Sequence, residues 1–98
     1  MSDYVYKKQN TKNGTHALIN NKSNNNSAFG FKSLSENTNG SQNSALGSNS
    51  LLNNKTGLSN TAVGFESLKD ADSKSNTALG ALTGLKLKNG NRNILIGR

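Results

Sequence analysis

Small, polar and apolar positions recur along the chain in one fixed order. Residues 60–68 read Asn-Thr-Ala-Val-Gly-Phe-Glu-Ser-Leu, and residues 26–34 and 43–51 repeat this order with few changes. The asparagines that open the units lie 16 or 17 residues apart: Asn10, Asn26, Asn43, Asn60, Asn76 and Asn93. Low-complexity drift would not keep five ordered positions in phase, so we predict tandem repeats over residues 10–98 and not disorder.

Each unit predicts short strands separated by bends. Residues 61–63 form a short apolar segment, Gly64 permits a bend, a second short segment ends at Leu68, and a polar turn closes the unit. A period of 16–17 residues is too short for paired helices, and the β-branched, Asn, Ser and Gly residues disfavour helix. We therefore expect an all-β fold, a parallel β-solenoid with two strands and two turns in each coil.

The frame of the repeat is the opening asparagine with the glycine four residues later. Its members are Asn26, Gly30, Asn43, Gly47, Asn60, Gly64, Asn76, Gly80, Asn93 and Gly97. The recurring asparagine has two possible structural roles. Stacked side chains can form an amide ladder along the rod, or the residue can simply favour the turn that enters each strand.

Alternation within the strand predicts two faces of different character. Ala62 and Gly64 share one face, which suits a narrow interior, and Thr61 and Val63 share the other. We predict one apolar stripe from Phe29, Leu46, Val63, Leu79 and Leu95, and a second stripe from Leu18, Leu34, Leu51 and Leu68. A thin coil cannot bury both, so one stripe is expected to be covered by other copies in a closed assembly. The number of copies does not follow from this argument.

Composition narrows the function classes. Only 31% of the residues are hydrophobic and 5% aromatic, which is too little for an ordinary globular core in 98 residues. The net charge of +7 is scattered along the chain, whereas a nucleic-acid site concentrates charge and adds aromatic residues. We therefore expect no nucleic-acid partner and no membrane insertion, and the charge suits a solvated surface or anionic glycans.

The residues needed for catalysis do not form a pattern. His16 is the single histidine, there is no cysteine, and the glycines follow the coil period instead of forming a phosphate loop. Asp70 and Asp72 are expected to lie in a solvated loop, with weak cation binding as the alternative. The sequence thus predicts no catalytic site, no cofactor and no metal, and the protein is not expected to be an enzyme.

Residues that follow the glycine are the candidate receptor contacts. They are Phe31, Lys32, Phe65 and Glu66. For the two phenylalanines, packing between coils is the preferred alternative.

The ordered unit Asn-Thr-Ala-x-Gly-x-x-Ser/Ala-Leu resembles the head repeats of trimeric autotransporter adhesins. It is closer still to a 17-residue variant in fibre and tail-spike proteins of viruses and phages. The resemblance covers residues 10–98 and implies a left-handed parallel β-roll, a homotrimer, and attachment to a host surface receptor or glycan. Three departures stand out: Lys12 replaces the alanine, residues 80–82 shorten the spacing to the second apolar position, and residues 90–97 suggest a terminal coil that caps the rod or meets a partner.

The resemblance implies a structural, non-catalytic fibre or head protein on a virion surface. A bacterial cell-surface adhesin head, a pure spacer, or a basic protein that binds nucleic acid or anionic surfaces are the alternatives. No export signal is recognisable, which favours the virion. Residues 1–9 are interpreted as a leader or an anchor to other virion proteins, which could also bind the C-terminus.

Overall fold

The computed structural model describes residues 9–97, which form a β-solenoid of about five turns. Its strands are β1 (Thr11–Asn13), β2 (Ser27–Phe29), β3 (Ser44–Leu46), β4 (Thr61–Val63), β5 (Thr77–Leu79) and β6 (Ile94–Ile96). They form one parallel sheet in chain order, so each strand pairs with the strand of the next coil. The predicted all-β parallel solenoid is confirmed. Among the described residues, no helix is long and apolar enough to cross a membrane.

Identical positions of the repeat stack on one another. Ala28 pairs with Ala45, Ala45 with Ala62, and Ala62 with Ala78. These alanines are at most 2% exposed, which confirms that the alanine face points inward. A methyl group is the largest side chain that most of these strands place inside, so the two walls of the coil lie close together.

The interior is completed by the second predicted stripe. Leu18, Leu34, Leu51 and Leu68 are all buried within the single chain, at no more than 4% exposure. They pack with the alanines in one continuous apolar cluster. The coil therefore supplies its own narrow core, and this stripe is not available to other copies.

The predicted second strand of each coil is wrong. Among residues 9–97 each coil contributes one three-residue strand, and the rest consists of turns and bends. In the coil that starts at Asn26, the backbone of Lys32, Leu34 and Gln42 is left-handed, with φ of 59°, 52° and 60°. Non-glycine residues rarely adopt this conformation. Here the chain bends sharply at these positions, and Leu34 lies fully buried in the interior.

The repeated asparagine both pins a turn and joins two coils. Asn43 Oδ1 accepts the backbone N–H of Asn60 at 2.9 Å, and Asn60 Oδ1 accepts that of Asn76 at 3.0 Å. The Nδ2 group of Asn43 donates at 2.8 Å to the carbonyl of Gly57, in the turn that closes this coil and leads into the next strand. The oxygen bond recurs at all five junctions between coils. The predicted link between stacked asparagines is thus present, whereas the turn that each side chain holds is the one that enters the next strand and not its own.

The variation between 16 and 17 residues is absorbed in this same turn. Asn26 and Asn43 donate to the carbonyls of Gly40 and Gly57, whereas Asn60 donates to that of Ser73. Ser73 therefore supplies the carbonyl that Gly57 supplies one coil earlier, and it lies 13 instead of 14 residues after the asparagine. Because the deletion falls in the turn, the strands of neighbouring coils keep their register.

In the last coils, a glycine stands where the earlier coils have the inner leucine, and a leucine stands where they have the inner alanine. Gly84, with φ of 67°, occupies the position that Leu68 has in the preceding coil, and Leu95 pairs with Ala78 in the inner column. A Cβ atom on Gly84 would lie 2.8 Å from Leu68 Cδ2 and 2.9 Å from Leu95 Cδ1. Leu95 thus fills the space left by the missing leucine.

Two sequence interpretations are corrected here. Leu95 does not belong to the outward stripe, because Asn93 sets the phase of the strand and places Ile96, which pairs with Leu79, on that face. Leu82 does not replace the inner leucine of its coil. Its backbone φ of 63° matches the 56° of Glu66, the residue at the same phase one coil earlier.

The exchange between positions 84 and 95 predicts a compensating pair of substitutions. We expect Gly84→Leu alone to overpack against Leu95 and Leu95→Ala alone to leave a cavity, each costing about 2 kcal/mol of unfolding free energy. The double variant restores the arrangement of the preceding coils and should recover at least about 1 kcal/mol of the summed cost. Urea unfolding of all four proteins measures this, and strictly additive losses would contradict it.

Candidate functional site

The outward face of the sheet carries two parallel rows of side chains. One is a hydroxyl row, formed by Thr11, Ser27, Ser44, Thr61 and Thr77. The other, called the outer apolar row below, is formed by Phe29, Leu46, Val63, Leu79 and Ile96. The strands β2–β6 contain no charged residue, so these strands add no charge to the outward face.

The outer apolar row is left uncovered by the chain itself. Phe29 is 38% exposed, Leu46 51% and Leu79 50%, and Ile96 at the end of the row reaches 74%. Among the described residues, this is the place where large apolar side chains line up at strand spacing on the surface. A shallow groove of about 390 Å³ lies along it. Its walls are Ser27, Phe29, Ser44, Ala45, Leu46 and Val63.

The candidate receptor contacts lie on the adjoining bend. Phe31 is 47% and Phe65 51% exposed, so about half of each ring faces solvent and neither is buried between coils. Lys32 Nζ lies 5.2 Å from the centroid of the Phe31 ring. The ring centroids of His16 and Phe31 are 6.4 Å apart. This end of the surface therefore presents an aromatic ring beside a cation.

Glu66 is engaged in contacts within the protein. Its carboxylate accepts a hydrogen bond from Asn49 Nδ2 at 3.2 Å and lies 3.7 Å from Lys69 Nζ. An ion pair at the protein surface contributes little free energy to stability. The bond to Asn49, which is one coil away, holds the carboxylate on the surface of the rod.

Asp72 has a structural role that the sequence did not suggest. Its Oδ1 accepts the backbone N–H groups of Lys55, Thr56 and Gly57 at 3.0, 2.9 and 2.9 Å. Asp70 Oδ1 accepts a hydrogen bond from Asn53 at 2.8 Å. These aspartates hold neighbouring turns together, which gives them a purpose other than the weak cation binding considered above.

The reason for Asp72 lies in the shortened coil. One junction earlier, the N–H groups of Thr38, Asn39 and Gly40 all donate to the backbone carbonyl of Lys55. The coil that starts at Asn60 lacks one residue in this turn, and the Asp72 carboxylate receives the equivalent N–H groups in place of a carbonyl. The 16-residue spacing from Asn60 to Asn76, with the acidic Asp72 four residues before Asn76, is the sequence signal that could have revealed this role.

Other chemistry is sparse in the part of the chain that the structure describes. Residues 9–97 hold no group of three histidine, cysteine or acidic side chains that could bind a metal. His16 is exposed. Most of the predicted leader, residues 1–8, and Arg98 lie outside the described residues, while the carbonyl of Gln9 accepts the N–H of Asn25.

Comparisons with known proteins identify no relative. No protein-family model matches the sequence, and no curated protein or solved structure matches it. The resemblance to adhesin head and phage fibre repeats therefore rests on the residues of the repeat alone.

The position of Asp72 predicts a measurable loss of stability on substitution. Asp72→Ala should remove the acceptor of three N–H groups and lower the unfolding free energy by about 2 kcal/mol. Asp72→Asn is the matched control, since its side-chain oxygen can still accept, and it should retain most of the stability. Equal losses in the two variants, measured by thermal or urea unfolding, would show that the acceptor oxygen is not what matters.

Proposed function

We propose that the protein is a structural, non-catalytic solenoid segment that assembles as a homotrimer and displays its bends for attachment to a surface receptor or glycan. The observation that carries this proposal is the outer apolar row, which remains exposed on a rod whose other large columns are internal. Soluble proteins rarely leave a continuous apolar surface open unless it meets a partner.

Copies of this chain are the proposed partner of the outer apolar row. The row lies on uncharged strands, so copies that carry +7 each can meet there without placing their positive charges in contact. Burying the exposed half of a leucine such as Leu46 contributes about 1 kcal/mol, and the contribution is repeated along the row. The serine and threonine side chains beside it are short and let neighbouring sheets approach.

A cyclic arrangement of a few copies would cover the outer apolar row. Identical faces that each meet the next copy close into a ring, and a narrow sheet needs few copies to enclose its apolar row around an axis. The trimer and the left-handed sense of the roll come from the resemblance to adhesin head repeats. The same resemblance supports a place on a virion surface, with a bacterial cell surface as the alternative.

Each copy in such an assembly would display the same candidate contact residues to the receptor. Phe31 and Lys32, with Phe65 on the same bend two coils away, are then displayed once by each copy around the axis. Weak contacts made by all copies at the same time give strong overall binding, because the later contacts are intramolecular. The basic charge favours anionic glycans among the possible receptors.

One substitution tests assembly and attachment together. Light scattering coupled to size exclusion should give the wild type a mass of three copies of the 10.4 kDa chain. Leu46→Asp places a carboxylate in the apolar interface at a cost of several kcal/mol and should yield single folded copies. On an array of neutral and anionic glycans, these single copies should bind at least about tenfold more weakly than the trimer.

Ile19→Asp is the matched control, because Ile19 is exposed to 54%, close to the 51% of Leu46, and lies outside the strands. It should keep the mass of the trimer. A wild type that is folded and monomeric would overturn the assembly proposal. A trimer that binds no glycan would leave the assembly standing and remove glycan attachment.

A further inference from the structure

Three hydrogen bonds recur at every junction between coils. At the junction of β3 and β4, Ser44 N–H donates to Asn60 O at 2.8 Å, and Asn60 N–H donates to Asn43 Oδ1 at 2.9 Å. The third bond joins Gly64 N–H to Leu46 O at 2.7 Å. The same set is present at all five junctions. A coil thus offers the next one a donor and two acceptors in fixed positions.

The last strand presents this set on its outer edge. By the phase of the repeat, the groups are the N–H of Ile94, the carbonyl of Ile96 and Oδ1 of Asn93, and no residue between 9 and 97 bonds to them. The side chains beside them are strongly apolar. Ile94 is 77% and Ile96 74% exposed, the highest values among the exposed large apolar residues. The outer edge of β6 therefore carries the same donor and acceptors with which each earlier strand binds the next coil.

The β1 strand at the opposite end of the rod has polar residues at the positions that are apolar in the other strands. In β1, Lys12 stands in the inner column, paired with Ala28, and Asn13 stands where the outer apolar row would continue. Lys12 lines a recess at this end together with Leu18, a core residue, and with Asn10 and Asn21. A lysine directed toward a sheet interior is a known protection of edge strands against pairing. Another coil stacked here would bury the ammonium group without a partner.

We propose that the β6 edge is a docking site for a parallel β-coil of another polypeptide, and that the β1 coil is a cap that stops copies of this chain from stacking head to tail. The occupant opens with asparagine, then Ser or Thr, a small residue, an apolar residue and glycine. Its asparagine and glycine N–H groups donate to Asn93 Oδ1 and Ile96 O, and its asparagine carbonyl accepts from Ile94 N–H. Its small residue faces Leu95.

A donor built from the same chain tests the site. The variant Lys12→Ala/Asn13→Leu/Ile94→Pro carries at β1 the residues found at these positions in β3, and proline removes the outward N–H of its own β6 edge. Mixed with the wild type, the fluorescently labelled donor should sediment as an end-to-end complex with one donor chain for each wild-type chain. This ratio is the same whether each partner is a monomer or a trimer.

Matched acceptors isolate the β6 edge. Ile94→Val keeps the N–H and an apolar side chain and should bind the donor as the wild type does, whereas Ile94→Pro should lose at least about tenfold in affinity with the donated hydrogen bond and the apolar contact. Circular dichroism should show the same fold for all of these proteins.

A second variant tests the cap without a mixture. Lys12→Ala/Asn13→Leu has one compatible surface at each end, so it should elongate into filaments whose mass grows with concentration, because a head-to-tail contact does not close. The wild type should not elongate. A folded donor that fails to bind the wild type would overturn the docking site, and filaments formed by the wild type would overturn the cap.

Discussion

The side-chain oxygen of each repeated asparagine joins two coils, because it accepts the backbone N–H of the asparagine one coil further along. Asn43, Asn60 and Asn76 are fully or almost fully buried, so their amide groups depend on these partners. The side-chain nitrogen meanwhile holds the turn that closes the coil opened by the same asparagine. One residue type therefore fixes both the closure of the coil and the register between coils, and the small inner residues can stack only once that register is set.

A rod held in this way needs very little apolar material. Alanine, leucine, serine and asparagine fill the interior, and most of the exposed large apolar side chains lie on the outward face of the sheet, on the bend and at the β6 edge. Each exposed set has its own geometry. The row on the sheet suits other copies placed side by side, and the edge suits a coil placed end to end, so the two kinds of contact do not compete.

The repeat, the parallel solenoid and the alanine interior could be predicted from the sequence, since alternation and a constant period report on them directly. That the second segment of each coil forms turns and not a strand could not be predicted. The left-handed backbone of residues such as Leu34 has no signature in the pattern of apolar residues. Leu95 was misplaced because apolarity was used instead of the phase set by Asn93. Asp72 was missed because its role depends on a backbone carbonyl that the shorter coil lacks.

Native-state hydrogen exchange followed by NMR tests the central role of the asparagine ladder most directly. If the ladder sets the register, the backbone amides of Asn43, Asn60 and Asn76 exchange only when the whole rod opens, with the same free energy of opening as the amides of β3–β5. Exchange of these three amides at the rate of an unstructured peptide, while the strand amides stay protected, would contradict the account.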